Sequence, residues 1–186
     1  KNPFRTNVNN SVECNVVITK TGEDYSSDEE ALKVAFIGDS ITHMSHYLKG
    51  IEHYYQTRHP DKEIVFVNKG ISGNFSSSVI SRFDWDITED EISGKIDEAT
   101  LMIGMNDVNR DYYLEDSTAT QAQKDSKITT CINNVEKIIK LCENNGIKLT
   151  IITPSAFDDT EGFATSTANA PGCNTYGLKN ISDKLK

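Results

Sequence analysis

The stretch KVAFIGDSITH, Lys33 to His43, decides the fold. It begins with a continuous apolar run, Val34 to Ile37, that ends abruptly at the polar Gly-Asp-Ser of residues 38–40. An apolar run without alternation is typical of a strand that is buried on both faces of a parallel sheet. The serine that follows is either an ordinary helix cap or a nucleophile held where a strand turns into a helix. The local sequence allows both interpretations, so the rest of the chain has to distinguish them.

Strand-like and helix-like patterns alternate along the chain after this stretch. Further apolar runs predict strands at Ile64 to Val67, Thr100 to Gly104 and Leu149 to Ile152. Apolar residues at helical spacing predict a helix over residues 44–55, a long helix over residues 128–142 that is stopped by an Asn-Asn-Gly sequence, and a further helix from Tyr176. This alternation predicts an α/β domain with a parallel sheet covered by helices on both faces.

The length of 186 residues favours one domain with a substantial core. Residues 1–32 are polar apart from a short β-like run, and we predict that they form an extension that packs on, or leads into, the domain of residues 33–186. The chain begins with Lys1 and shows no signal-peptide pattern, which favours either a processed exported protein or a trimmed chain.

Composition excludes several classes of partner. The chain is 37% hydrophobic and 25% charged, as in soluble globular proteins, and it has no apolar run of about 18 residues that could span a membrane. The formal net charge of −9, without a local basic patch, argues against nucleic-acid binding because phosphates would be repelled.

The four cysteines lack the C-x-x-C spacing of zinc modules, so no metal site is predicted from them. Cys131 and Cys142 fall on one helical stripe and are expected to be small buried hydrophobic residues. A disulfide between Cys14 and Cys173 is possible and is left open by the sequence.

Polar turns follow the first three predicted strands. Ser40 follows the first strand, residues 70–74 follow the second, and Asn106-Asp107 follows the third. Ligands bind at the carboxyl ends of the strands in parallel sheets, so these turns are expected to lie on one rim.

The residue types on this rim suit acyl transfer, which needs a hydroxyl nucleophile and fixed donors for the oxyanion. Ser40 would supply the hydroxyl and a backbone N–H, Gly73 an N–H unshielded by any side chain, and Asn106 a side-chain amide. Taken singly, each has an ordinary explanation as a helix cap, a glycine turn or an Asx-turn. Their joint placement on successive strand ends favours the catalytic interpretation.

Three segments carry a resemblance to a known family: GDSIT at 38–42, NKGISGN at 68–74 and GMND at 104–107. In order and strand-end position they resemble the first three sequence blocks of the SGNH, or GDSL-type, hydrolases. The resemblance covers residues 33 to about 155 and implies a flavodoxin-like, three-layer αβα fold.

The same resemblance implies a serine esterase or lipase that acts on acyl esters of small molecules, sugars or lipids, without a cofactor or metal. It makes Ser40 the nucleophile, and it assigns the oxyanion hole to the backbone amides of Ser40 and Gly73 and the side chain of Asn106. We assign Asp39 and Asp107 to holding the two turns in shape. The polar and aromatic segment 108–120 is expected to cover the acyl pocket.

The fourth block of the family, a D-x-x-H that supplies the general base, does not occur, because none of the four histidines has an aspartate three residues before it. The remainder of the domain is therefore expected beyond Lys186. Two alternatives are that His43 or His46 substitutes as the base, or that the domain binds carbohydrate or another ligand without turnover. Trp85, Tyr112 and Tyr113 could stack on a sugar in that case, or could be core residues.

A different enzyme class is suggested by Asp84-Trp85-Asp86-Ile87-Thr88, which matches the D-x-D-x-T motif of haloacid-dehalogenase-like phosphotransferases. Those enzymes use an aspartate nucleophile, here Asp84, with magnesium. The motif should directly follow a hydrophobic strand, and the Ser-Arg-Phe of residues 81–83 is a poor strand end. A solvated acidic loop is the simpler interpretation.

Overall fold

The computed structural model describes residues 31–89, 94–156, 170 and 172–186. Within these residues, the sheet has four strands: β1 (Leu32–Gly38), β2 (Ile64–Gly70), β3 (Glu98–Met102) and β4 (Lys148–Ile152). Their order is β2-β1-β3-β4, and every neighbouring pair is parallel. The α/β class is thus confirmed. Strand β3 begins and ends earlier than predicted. It stops before Gly104, whose φ of +127° is incompatible with a continuing strand.

Helices connect the strands and follow the last one. Their bounds are α1 (Ser40–His43), α2 (His46–Arg58), α3 (Ser76–Arg82), α4 (Gln121–Asn144) and α5 (Lys179–Leu185). A π-helical segment, Phe83–Thr88, continues α3, and another, Cys173–Leu178, leads into α5. A short 3-10 helix spans Arg110–Tyr113.

The two faces of the sheet pack against different helices, so the three-layer arrangement is confirmed. Successive strand residues point to opposite faces. On one face, Ala35 and Ile37 lie in a core with the apolar residues of α3, α4 and α5. On the other face, Phe36 and Phe66 pack against Leu48 of α2.

The single helix predicted after the first strand is two helices in the structure. The break lies at Ser45, which has a left-handed backbone with φ of 61°. The Asn68 side chain of β2 satisfies groups exposed by this break, since its amide nitrogen donates to the Thr42 carbonyl at 3.1 Å and to Ser45 Oγ at 2.7 Å. A contact between residues so far apart in sequence could not be seen in the helical periodicity.

The segment after the second strand forms a helix that the sequence interpretation missed. Val79, Phe83 and Ile87 recur at a spacing of four residues, and all three are buried against the sheet. This spacing was the available signal for a helix. The acidic stretch at Asp84 is therefore helical and does not follow a strand, so the structural context needed by the phosphotransferase motif is absent.

Two of the four cysteines, Cys131 and Cys142, are fully buried on α4, as predicted. Cys14 and most of the predicted extension of residues 1–32 lie outside the described residues, although Leu32 is already the first residue of β1. Among the helices that the structure describes, none is long and apolar enough to cross a membrane.

Candidate active site

The register of the sheet brings the first three strand ends to one level. Gly38, the last residue of β1, pairs with Gly70 at the end of β2 and with Met102 at the end of β3. The first residue after β2 continues this pairing, since Ile71 N donates to the Gly38 carbonyl at 3.1 Å. The order β2-β1-β3 also places a topological switch point between β1 and β3, where ligands bind in open α/β sheets. The polar turns therefore lie side by side on one rim, as predicted.

Helix α1 lies directly on these strand ends because two glycines leave room for it. A Cβ atom on Gly70 would lie 2.3 Å from the backbone nitrogen of His43, and one on Gly38 would lie 2.1 Å from Thr42 Oγ1 and 2.7 Å from the Met102 carbonyl oxygen. Real Cβ atoms do not approach backbone this closely, so larger residues would push the helix away. The glycines thus determine how near Ser40 can sit to the sheet.

Gly70→Ala is expected to lower the free energy of unfolding by about 3 kcal/mol or more, because the added methyl group meets rigid backbone rather than a flexible side chain. Gly50→Ala is the matched control, since a Cβ at Gly50 on helix α2 meets nothing within 4 Å. That control should gain about 0.5–1 kcal/mol from helix propensity. Urea unfolding measures both values, and equal stability of the two variants would contradict the close approach of α1.

Ser40 is the first residue of α1 and is half-buried. Asp39 is the N-cap of this helix, and its carboxylate accepts a hydrogen bond from the Ile41 backbone nitrogen at 3.0 Å. Burial raises the pKa of Asp39, and the neighbouring negative charge of Asp107 raises that pKa further. The predicted role of Asp39 in shaping the first turn is confirmed by this cap.

Gly73 lies in the turn after β2, which is closed by a hydrogen bond from Asn74 N to the Ile71 carbonyl at 3.1 Å. Its φ of +82° is in the left-handed region that favours glycine. The position is exposed, and the space around a hypothetical Cβ is open. This turn therefore presents backbone on the rim that no side chain shields.

Asn106 joins the third turn to the second. Its side-chain nitrogen donates to the Asn74 carbonyl at 2.8 Å, next to Gly73. The amide of Asn106 carries a second N–H, which leaves one donor for another acceptor. The structure thus brings Asn106 against the Gly73 turn, while the turn that carries Ser40 is held alongside through the pairing of Gly38 and Gly70.

Asp107 anchors the start of helix α3. Its carboxylate accepts hydrogen bonds from the Ser76 backbone nitrogen, at 3.0 and 3.1 Å, and from the Ser76 hydroxyl. Asn134 of α4 donates to the same hydroxyl at 3.0 Å. Burial raises the pKa of Asp107, while the bonds from Ser76 oppose that shift. Asp107 therefore fastens the third turn to the start of α3 through Ser76. Its role in holding the third turn itself in shape stays a prediction, and the contacts with Ser76 and Asn134 were not foreseen.

The two histidines considered as substitute bases are placed differently. The ring of His43 is engaged with β2, where its Nδ1 lies 3.1 Å from the Gly70 carbonyl and donates to it. His46 is exposed at the start of α2. Within the described part of the chain, no hydrogen bond joins either ring to Ser40. The structure thus supplies no support for either of them as the base.

The three aromatic residues considered for sugar stacking differ in how far their side chains are exposed to solvent. Tyr113 is a core residue that packs against Gly177, so it is unavailable for stacking. Tyr112 is half-buried, with Lys127 Nζ 5.9 Å from its ring centroid. Trp85 is exposed on the π-helical segment. The segment 108–120 packs inward through Tyr113, and its role as a cover of the acyl pocket stays a prediction.

Of the two aspartates of the D-x-D-x-T motif, one lies in an ion-pair cluster and the other on the exposed surface, and neither lies at the end of a strand as in the phosphotransferases. Asp86 forms ion pairs with Arg82 and with Lys69, whose Nζ lies 3.4 Å away. Asp84 is exposed. Over residues 31–89, 94–156 and 172–186, no cluster of three His, Cys, Asp or Glu side chains is arranged to hold a metal ion.

Comparison with known proteins identifies relatives of this chain. The sequence profile of the GDSL-like lipase/acylhydrolase family matches residues 36–176. An acetylxylan esterase of Geobacillus stearothermophilus is 36% identical over a match that covers 44% of this chain and 42% of that protein.

Solved structures extend the likeness over most of the fold. The crystal structure of Axe2, an acetylxylan esterase from Geobacillus stearothermophilus, has a TM-score of 0.57 and 25% identity, with 82% of this chain and 72% of that one covered. A gut microbial diltiazem-metabolizing enzyme has a TM-score of 0.68 and 24% identity, with 83% and 34% covered. The chain therefore spans about two fifths of the curated esterase and a third of the second structure.

Proposed function

Because the chain belongs to the GDSL-like lipase/acylhydrolase family, we propose that it carries the nucleophile and the oxyanion hole of a carboxylic ester hydrolase. Ser40 is the nucleophile in this proposal, and the backbone N–H groups of Ser40 and Gly73 and the side chain of Asn106 are the oxyanion donors. The observation that carries it is the hydrogen bond from Asn106 to Asn74, which draws the third turn against the Gly73 turn on the rim where Ser40 lies. The proposed oxyanion donors come from three separate strand ends, so they can converge only where those ends lie side by side.

In the proposed reaction, Ser40 Oγ attacks the ester carbonyl carbon while a general base takes the hydroxyl proton. The carbonyl oxygen becomes an oxyanion that the proposed donors stabilise as its charge develops. The tetrahedral intermediate then collapses, the bond to the alcohol oxygen breaks, and the alcohol leaves with the proton from the base. Water attacks the acyl-enzyme in the same way and releases the carboxylic acid and free Ser40.

The general base in this proposal is a histidine oriented by a carboxylate, as in the family's D-x-x-H block, supplied from outside residues 1–186. A serine hydroxyl without a base is a poor nucleophile at neutral pH. The full-length protein is therefore the proper subject of every activity measurement.

For the substrate, we propose acyl esters of small molecules or carbohydrates, with O-acetylated sugars as the first class to test. Support comes from the acetylxylan esterases among the relatives. The glycine turn at Gly73 is open to solvent, so a substrate need not be small on that side. Phe75 is exposed directly after this turn and offers an apolar surface to a bound ester.

The nucleophile can be identified by covalent trapping. An alkyl fluorophosphonate is expected to phosphonylate Ser40 in the full-length protein with loss of fluoride, because its polarised phosphoryl oxygen occupies the place of the oxyanion. Peptide mass spectrometry should show the added mass on the peptide that contains residues 38–42 and on no other serine peptide. Labelling of Ser77, an exposed serine of α3, at the same rate would show non-specific reaction and would refute the assignment.

A further inference from the structure

The buried guanidinium of Arg82 contacts both ends of the turn that carries Gly73. Arg82 is the last residue of α3 and is 4% exposed. Its Nη2 donates to the Lys69 carbonyl at 2.6 Å, just before β2 ends, and its Nε donates to Asn74 Oδ1 at 2.9 Å, just after the turn. One rigid side chain thus spans the segment from Lys69 to Asn74.

Asn74 links Arg82 to Asn106, another of the proposed oxyanion donors. The side-chain oxygen of Asn74 accepts from Arg82, and the backbone carbonyl of Asn74 accepts from Asn106 Nδ2 at 2.8 Å. A displacement of Asn74 would therefore move the amide of Asn106 together with the Gly73 backbone. Arg82 acts on both donors through a single residue.

The negative charge of Asp86 offsets the desolvation cost of burying the Arg82 guanidinium. Asp86 lies four residues further along the same helical segment and forms an ion pair with Arg82 Nη1. Burial lowers the pKa of Arg82 and the charge of Asp86 opposes that shift. The Nε and Nη2 groups of the guanidinium donate to the turn, and its planar fork has a geometry that a lysine ammonium cannot reproduce.

We propose that Arg82 is a positioning residue of the oxyanion hole, which sets the Gly73 turn and Asn106 through its contacts with Lys69 and Asn74. This inference rests on the proposed ester hydrolysis, since it concerns donors assigned there. The groups that bind an oxyanion act only at the correct distance, and a misplacement of about 1 Å can cost about 100-fold in rate. A residue that merely stabilises the fold would change the unfolding transition and leave the turnover of folded protein unaltered.

The decisive variant is Arg82→Lys in the full-length protein, which keeps the positive charge and removes the fork. We expect kcat for 4-nitrophenyl acetate to fall about 30- to 100-fold per folded molecule, with KM changed less than about threefold, because the transition state loses more than the bound ester does. Arg58→Lys is the matched control, since Arg58 ends α2 as Arg82 ends α3 but is exposed. It should retain the wild-type kcat.

Asn74→Ala provides a second route if Arg82→Lys does not fold. It removes the bond to Arg82 Nε and keeps the carbonyl that Asn106 contacts, so we expect a loss of about tenfold in kcat. A kcat within threefold of wild type in folded Arg82→Lys, or within twofold in Asn74→Ala, would overturn the positioning role. Ser40→Ala separates the two proposals: if Ser40→Ala is active, the ester hydrolase assignment itself fails, whereas an inactive Ser40→Ala beside an unaffected Arg82→Lys overturns only the role of Arg82.

Discussion

Ser40→Ala is expected to lower kcat of the full-length protein for 4-nitrophenyl acetate by about 10⁴-fold or more. The variant keeps the backbone N–H of residue 40 and loses only the hydroxyl that forms the acyl-enzyme. The side chain of Ser40 is half-buried at the start of α1, and Asp39 caps that helix without it. The thermal unfolding midpoint should therefore stay close to that of the wild type. Steady-state kinetics and a thermal unfolding scan on the same preparation check both statements.

The control for this experiment is Ser77→Ala, which removes an exposed hydroxyl on α3 and should leave kcat unchanged. Residual activity of Ser40→Ala above about a hundredth of the wild type would remove Ser40 from the role of nucleophile. A full-length protein that binds acetylated xylo-oligosaccharides equally well with and without the Ser40 hydroxyl, and turns over no ester, would instead support the binding-only alternative.

Asn106→Ala is expected to lower kcat by about 10²- to 10³-fold, which is typical when one oxyanion donor is removed. The effect on KM should be small because the donor matters chiefly after the carbonyl oxygen becomes negative. The variant also loses the hydrogen bond to the Asn74 carbonyl, which contributes about 1 kcal/mol to the free energy of unfolding. Kinetics and urea unfolding together separate these two effects.

Asn133→Ala serves as the control, since Asn133 is exposed on helix α4 and should tolerate the change. Asn106→Asp adds a stricter comparison: a carboxylate in place of the amide would repel the oxyanion, so its kcat should be no higher than that of Asn106→Ala. A loss of less than about threefold in Asn106→Ala would contradict its assignment as an oxyanion donor.

Several parts of the fold could be predicted because their signals are local. The apolar runs at Val34 to Ile37 and Ile64 to Val67 lie within β1 and β2, and the periodicity of residues 128–142 lies within α4. Burial on both faces of a parallel sheet removes alternation from a strand, and a core-facing helix repeats its apolar residues every three or four positions. The carboxyl ends of parallel strands also lie on the same rim of a sheet. The order of strands and helices along the chain therefore predicted that the three turns lie close together.

Other features were invisible because they depend on residues distant in sequence. The break at Ser45 is stabilised by Asn68, whose partner Thr42 lies 26 residues away. Arg82 on α3 contacts the Lys69 carbonyl 13 residues earlier. The aromatic Tyr113 was considered for an exposed role, and the structure buries it against Gly177. No periodicity within one segment encodes which side chain from another segment will meet it.

The sequence by itself therefore determined the class of fold, the rim on which the polar turns lie and the family to which the chain belongs. Only the tertiary structure decided how those turns are held. The approach of α1 to Gly70, the contact of Asn106 with Asn74 and the span of Arg82 across the Gly73 turn all arise from packing between separate elements. The physical reason is that patterns along the chain report burial and backbone geometry, whereas the direction of a hydrogen bond is settled only when the elements that carry donor and acceptor pack together.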